Sequence, residues 1–148
     1  MQVDHITFSS SGGAGLVANN LVKHQRNLGV DARLNAVIET NLYQDPFMHP
    51  ILTGAALLDK YGVSNRPNGS LFSHYRNAIG VFDPKNLPAS SLIHLHWLNG
   101  VLDTKDIVGL LESGRKVTWT LHDMAPFTGG CHHANACLLY TSPSPRDR

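Results

Sequence analysis

The sequence predicts an α/β fold, in which helices cover both faces of a parallel sheet. The chain opens with a strand, a glycine-rich turn, a helix and a second strand, and a further strand–helix–strand unit lies between residues 92 and 123. Such alternation is typical of parallel sheets, because each crossover between parallel strands uses the length of a helix. The length of 148 residues and the apolar share of 42% suit one packed core.

The first unit is the clearer of the two. Residues 3–9 (VDHITFS) alternate in part and predict a strand. Apolar residues then recur at helical spacing through residues 15–29, where Gly29 is placed to end a helix. Residues 30–39 (VDARLNAVIE) predict the second strand. The segment SSSGGAG therefore forms the turn between the first strand and the first helix.

The middle segment, residues 40–90, has the weakest pattern. It contains prolines and turn dipeptides such as Asn68-Gly69, which interrupt regular structure. We expect a helix over residues 51–61 and irregular or short helical structure around it.

The second unit begins with LIHLHWL, residues 92–98, which predicts a buried strand. A helix follows, with Asp103 or Thr104 as its cap and Gly114 as its end. Residues 116–123 (KVTWTLHD) are rich in β-branched and aromatic side chains and predict another strand.

The character of the sequence changes near Ala136. Residues 137–147 read CLLYTSPSPRD, which resembles the translation of an adaptor used in transposase-based sequencing libraries. We therefore predict that residues 1–136 form the domain and that residues 137–148 are adaptor read-through without a fold of their own. The alternative is a genuine tail rich in serine and proline.

Charge and hydropathy exclude several classes of protein. The net charge is +1 and no run of Lys or Arg is present, so a nucleic-acid partner is not expected. The N-terminus lacks the features of a signal peptide, and no stretch approaches the ~20 apolar residues of a membrane span. We expect a cytoplasmic location, with at most loose contact to a membrane surface. The two cysteines, Cys131 and Cys137, do not make a disulfide framework.

The glycine-rich turn is a candidate binding site. Glycines at the start of a helix expose amide groups at the positive end of the helix dipole, which favours a phosphate, a diphosphate or a sugar hydroxyl. Gly12, Gly13 and Gly15 do not have the spacing of the dinucleotide motif, and no P-loop lysine follows. A nicotinamide-dependent oxidoreductase is therefore disfavoured. The competing interpretation is a tight turn that only lets the helix pack on the sheet.

Histidines mark the ends of the later strands. His94 and His96 alternate and share one face of a strand, and His122 and Asp123 end the next strand. Ligands of open α/β sheets collect beyond the carboxyl ends of the strands, so His122 and His96 are candidate functional residues. His94 is more simply a hydrogen-bonded histidine of the core.

Two other classes of function remain open. A metal-dependent hydrolase would use His94, His96 and His122, with further ligands available nearby. Those further side chains are Asp123, Cys131, His132, His133 and Cys137. A nucleotide-binding module without catalytic activity is the second alternative.

Two motifs resemble a known family. IHLHWLNGVL and KVTWTLHDMAPFTGGCHH are similar to the N-terminal domain of bacterial family 4 glycosyltransferases, and within them to the colanic-acid and exopolysaccharide type. The family typically reads WTLHDMWxFTGGCHY. Ala125 stands here where tryptophan is usual, and His133 where tyrosine is usual. The glycine turn and the first helix resemble the family as well, and Cys137 fits a second cysteine that is common there.

The resemblance implies a GT-B fold, in which two Rossmann-like domains face each other across a cleft. The N-terminal domain usually binds the acceptor, and a C-terminal domain usually binds the nucleotide-sugar donor. It further implies retaining transfer of a sugar to a polysaccharide or lipid-linked acceptor, without a metal ion or other cofactor. The enzyme would act in the cytoplasm or peripherally at the inner membrane. Because the donor-binding domain is not part of these residues, we expect the chain alone to transfer no sugar.

The resemblance also implies roles for individual residues. Gly12 and Gly13 would approach the donor diphosphate or the acceptor. His122 would donate or accept a hydrogen bond at the transferred sugar, and Asp123 would orient His122 or the loop that follows. The remaining expected binding residues are His96, Thr128, Gly129 and Gly130.

Overall fold

The computed structural model describes residues 1–39, 82–89, 91–128, 130 and 132–133. The helix expected over residues 51–61, Gly129 and the segment 137–148 lie outside the described residues. Within the described part of the chain, no helix has the length and apolar character that crossing a membrane requires.

The described residues form a four-stranded parallel sheet with helices, which confirms the predicted α/β fold. The strands are β1 (Gln2–Thr7), β2 (Asp31–Ala36), β3 (Leu92–Leu95) and β4 (Val117–Trp119), and their order across the sheet is β2-β1-β3-β4. All three neighbouring pairs are parallel. The helices are α1 (Gly12–Asn27), α2 (Thr104–Glu112) and α3 (Ala125–Thr128), and short 3-10 helices span Val37–Glu39 and Pro84–Asn86.

The strands are shorter than their sequence patterns indicated. The strand predicted over residues 116–123 ends at Trp119, and the one predicted over residues 92–98 ends at Leu95. In each case the chain leaves the ladder at the carboxyl edge of the sheet. The sequence predicted that His122 and Asp123 are the last residues of a strand. In the structure they lie in the loop after β4.

One face of the sheet is apolar. Ile6, Ile93 and Leu95 are fully buried and form a core with residues of the β3–α2 loop and with Leu110 of α2. Since side chains alternate along a strand, the residues between these point to the opposite face. Burial of this apolar surface is the main favourable term for folding.

The opposite face carries histidines. His5 of β1 pairs in register with His94 of β3, and their rings lie 4.7 Å apart. Helix α1 covers this face, because Gln25 of α1 is hydrogen-bonded to His5 and Ala18 of α1 is fully buried. With apolar residues of α2 packed on the other face, the arrangement is Rossmann-like.

Helix α1 begins at Gly12, three residues before the start that the apolar spacing indicated. Gly12 has a positive φ of 73°, and Gly15 follows in the first turn. A Cβ atom on Gly15 would lie 2.3 Å from the carbonyl oxygen of Ser9. Glycine is therefore required at position 15, since the chain entering the helix passes directly against it.

Candidate functional site

A pocket lies at the carboxyl edge of the sheet. It has a volume of about 450 Å³, within the range of small-ligand sites. Its walls come from the first turns of α1, the segment after β3 and the loop after β4. The lining residues are Gly13, Ala14, Val17, Trp97, His122, Asp123, His132 and His133. Ligands of open α/β folds bind at this edge.

His122 is the end of a chain of hydrogen-bonded side chains that runs back under α1. Its Nε2 atom lies 3.0 Å from Nδ1 of His96. Nε2 of His96 lies 3.0 Å from Nδ1 of His5, and Nε2 of His5 lies 2.9 Å from Oε1 of Gln25. We call Gln25, His5, His96 and His122 the histidine relay. His5 and His96 are fully buried, so solvent reaches the relay only at Gln25 and at His122.

The buried rings of this face are held neutral. Burial lowers the pKa of His96 to about 3, and its histidine neighbours lower it further. Burial, followed by the charges of His5 and His122, lowers the pKa of His94 to about 4. The pKa of His5 is also lowered by burial, against the opposing effect of its hydrogen bond to Gln25. A neutral imidazole has one N–H donor and one acceptor nitrogen.

His122 differs from the buried rings because an acid stands beside it. Burial lowers its pKa, and the charge of Asp123 opposes that shift. With Nε2 engaged by His96, Nδ1 is the ring nitrogen that remains for a ligand in the pocket. His122 is therefore placed to make one directed hydrogen bond to a bound molecule.

Asp123 organises the loop after β4. One carboxylate oxygen accepts a hydrogen bond from the backbone N–H of Ala125 at 2.9 Å, and the other lies 2.6 Å from Nδ1 of His132. The side chain of His132 is 2% exposed. Of the two roles expected for Asp123, its hydrogen bonds correspond to orienting the loop, and its effect on His122 is electrostatic.

Trp97 and the start of α1 complete the pocket. Trp97 is 38% exposed, and its ring centroid lies 5.9 Å from that of His132. Ser11, the N-cap of α1, makes no side-chain capping hydrogen bond, and a Cβ on Gly13 would meet no atom within 4 Å. The pocket thus combines an aromatic face with backbone amides at the positive end of a helix.

The acidic residue after β2 is engaged in the turn itself. Glu39 accepts hydrogen bonds from the backbone N–H and the hydroxyl of Ser10. This carboxylate therefore fixes the serine turn.

The structure brings together some of the predicted site residues and separates others. Gly13, His122 and Asp123 line the pocket, and Gly12 adjoins Gly13.

Other predicted site residues do not line the pocket. His96 lies behind His122, and both of its ring nitrogens are hydrogen-bonded, one to His5 and the other to His122. Thr128 is buried in α3, and the N–H of Gly130 donates to the carbonyl oxygen of Ala125. His94 is hydrogen-bonded as expected, with its Nε2 atom 2.7 Å from the Thr120 hydroxyl, but it is half-buried and does not belong to the core.

Three residues of this region were missed by the sequence analysis. His5 and Gln25 carried no motif of their own, and Trp97, although it lies within the motif IHLHWLNGVL, was not singled out as a site residue. The one available signal for His5 was its alternation with Val3 and Thr7 along a strand, which places all three on one face. Nothing local indicated that this strand would lie beside the strand of His94 and His96.

The candidate metal ligands are arranged differently from the expected set. Among the described residues, the cluster with metal-ligand potential is His5, His94 and His96, whose ligand atoms lie within 4.8 Å of one another. His122, expected in that set, is bonded to the outer nitrogen of His96 instead. The facing nitrogens of His5 and His96 share a hydrogen bond, so in this geometry they are already partnered.

A larger cavity of about 580 Å³ lies elsewhere, around Asp83, Lys105 and Arg115. Its polar groups serve local structure: the Arg115 guanidinium donates to backbone carbonyls of the 84–88 segment. The smaller pocket at the carboxyl edge is therefore the better candidate site.

Comparison with known proteins identifies no relative: no family model, no curated protein and no solved structure matches the chain.

Proposed function

We propose that the chain is the acceptor-side domain of a glycosyltransferase that transfers a sugar from a nucleotide-sugar donor. The observation that carries this proposal is the shared pocket of Gly13, Trp97 and His122. These residues come from three different elements, and each supplies a kind of contact that a nucleotide sugar or its acceptor requires.

The chemistry of the pocket suits a sugar beside a diphosphate. The exposed face of Trp97 can pack against the C–H face of a pyranose ring. The Nδ1 atom of His122 can hydrogen-bond a sugar hydroxyl. The amides of the first turn of α1 can bind phosphate oxygens and stabilise the negative charge that develops on a leaving diphosphate.

The resemblance of the HDM and FTGGC motifs to family 4 glycosyltransferases supports the same proposal. It adds retaining transfer without a metal ion, a polysaccharide or lipid-linked acceptor, and a location in the cytoplasm or peripherally at the inner membrane. It also assigns the donor-binding half of the site to a second domain. We therefore expect the 148-residue chain to bind ligand without transferring sugar.

Saturation-transfer NMR on the purified chain tests the proposal. The probes are UDP-glucose, UDP-galactose, GDP-mannose, GDP-fucose, the free sugars, and UDP and GDP alone. Because the resemblance assigns the nucleotide to a second domain, we expect transfer of saturation to the sugar protons of at least one free sugar or nucleotide sugar, with the sugar lying at Trp97 and His122. His122→Ala and Trp97→Ala should each weaken its binding about threefold to tenfold, the effect of losing one hydrogen bond or one aromatic contact.

His24→Ala is the matched control, because His24 is exposed on α1 and does not line the pocket. Equal binding of UDP or GDP with no contribution from the sugar would favour the nucleotide-binding module. Stoichiometric zinc in the purified protein, lost with His94→Ala or His96→Ala, would favour the metal-dependent hydrolase. Either result contradicts the glycosyltransferase proposal.

A further inference from the structure

The histidine relay connects the pocket to a side chain that does not touch it. Gln25 lies on α1, and two fully buried imidazoles separate it from His122. Each of the three links is a hydrogen bond of 2.9–3.0 Å. The sheet also supports the relay, since β1 and β3 are paired in register at His5 and His94.

The relay has a direction, because each neutral imidazole can donate from only one of its nitrogens. The carbonyl oxygen of Gln25 faces His5, so Nε2 of His5 must donate and Nδ1 must accept. His96 then donates from Nε2 to His5 and accepts at Nδ1. His122 in turn donates from Nε2 to His96, which leaves the lone pair of its Nδ1 for the pocket. Rotating the Gln25 amide by half a turn would reverse every one of these bonds.

We propose that the Gln25 amide sets which ring nitrogen of His122 carries the proton, so that His122 presents an acceptor to hydroxyl donors of the ligand. Gln25, His5 and His96 are then positioning residues for the pocket. The class of ligand, a molecule with sugar hydroxyls, rests on the proposed function; the effect of Gln25 on His122 does not.

Electrostatics distinguish this orienting role from storage of a proton. A proton that His122 takes from a ligand would have to move to His96 to travel inward. The pKa of His96 is lowered to about 3 by burial and by its histidine neighbours. Burial lowers the pKa of His122 as well, but the charge of Asp123 opposes that shift. A proton that His122 takes from a ligand therefore stays on His122. The hydrogen bonds among the buried rings keep their direction.

Histidine-labelled ¹⁵N NMR of the full chain at pH 8 tests the proposal. Ring correlations show which nitrogen of each histidine bears the proton, and His122→Gln identifies the signals of His122. We expect the proton of His122 on Nε2. Gln25→Met removes the acceptor, and we expect it to shift the tautomer ratio of His122 about threefold to tenfold toward Nδ1–H, the effect of one neutral hydrogen bond.

Two variants complete the experiment. Gln25→Glu keeps an acceptor oxygen, and we expect it to preserve the tautomer of His122. Asn20→Met makes a similar change at an exposed position of α1 and should also have no effect. If Gln25→Met does not fold, the proton position in the unchanged chain and in Gln25→Glu still decides the matter.

Three results would overturn the inference. The first is that the proton of His122 lies on Nδ1 in the unchanged chain. The second is that Gln25→Met leaves the tautomer ratio of His122 unchanged. The third is that Zn²⁺ binds stoichiometrically and displaces ring protons of His5 and His96. If the tautomer of His122 changes with Gln25→Met but neither a free sugar nor a nucleotide sugar binds, this inference stands and the proposed function fails. If a free sugar or a nucleotide sugar binds but Gln25→Met leaves the tautomer of His122 unchanged, the proposed function stands and this inference fails.

Discussion

Two glycines of the same helical turn have different physical roles. Gly15 lies against the chain that enters α1, and a Cβ there would come within 2.6 Å of the backbone carbon of Ser10 as well as close to Ser9. Gly13 lines the pocket and has open space where a Cβ would be. Of the two interpretations of the glycine turn, helix packing therefore applies to Gly15, and ligand contact is available to Gly13.

We expect Gly15→Ala to lower the free energy of unfolding by about 1–3 kcal/mol, because the contact is with backbone that cannot rotate away. Gly13→Ala is the control. It should leave stability unchanged or raise it by up to about 1 kcal/mol, the gain from replacing glycine in a helix. Urea unfolding of the two variants measures both effects. Equal stability of the two would show that the Ser9 turn can move away from the helix.

At the scale of elements, helix α2 has a local signal for its start. Asp103 accepts a hydrogen bond from the backbone N–H of Asp106, and Asp106 accepts one from the N–H of Asp103. This reciprocal capping box satisfies two donors that a helix start would leave unpaired. Of the two caps that the sequence allowed, Asp103 is therefore the cap, and Thr104 is the first residue of α2.

We expect Asp103→Ala to lower the free energy of unfolding by about 1 kcal/mol, the usual effect of removing an N-cap. Lys105→Ala changes an exposed residue of the same turn and should shift stability by less than about 0.5 kcal/mol. Thermal unfolding followed by circular dichroism compares them. An Asp103→Ala protein as stable as Lys105→Ala would mean that α2 is held by tertiary packing alone.

The whole molecule places two unlike surfaces on either side of one sheet. The apolar face packs residues such as Leu95 and Leu102 in the core. The other face buries His5 and His96 beneath α1, where their hydrogen bonds to each other, to Gln25 and to His122 offset the loss of contact with water. The stability of the fold should therefore depend on pH through the histidine face.

We expect the free energy of unfolding to fall as the pH is lowered from about 7.5 to 5. Well above the ordinary histidine pKa of about 6.5, these histidines are neutral in both the folded and the unfolded state and contribute no pH dependence. Below that pKa the histidines of the unfolded chain bind protons, whereas His94 and His96 of the folded chain stay neutral until the pH approaches their lowered pKa values of about 4 and about 3. Stability therefore decreases through this window.

Urea midpoints at pH 7.5 and pH 5 measure the effect, and pH 5 stays above the ordinary carboxyl range. His94→Gln should reduce the difference between the two midpoints, because one of the titrating groups is gone. Midpoints that agree at the two pH values in the unchanged chain would contradict the prediction.

The sequence alone determined the class of fold. Apolar periodicity and glycine positions are local properties, so they predicted the four strands, α1 and α2. They placed His122 at the end of a strand, whereas it lies in the loop after β4. The strands that end at Leu95 and Trp119 were predicted too long, because β propensity does not show where the backbone of the neighbouring strand ceases to provide hydrogen-bond partners.

Only the tertiary structure decided which residues surround His122. His5 and His96 are 91 positions apart, and they meet because β1 takes the place between β2 and β3. That order follows from burying both faces of the sheet at once, a property of the whole chain that no local pattern encodes. The same packing brings Gln25 of α1 over His5, and with it the hydrogen bonds that connect the helix to the pocket.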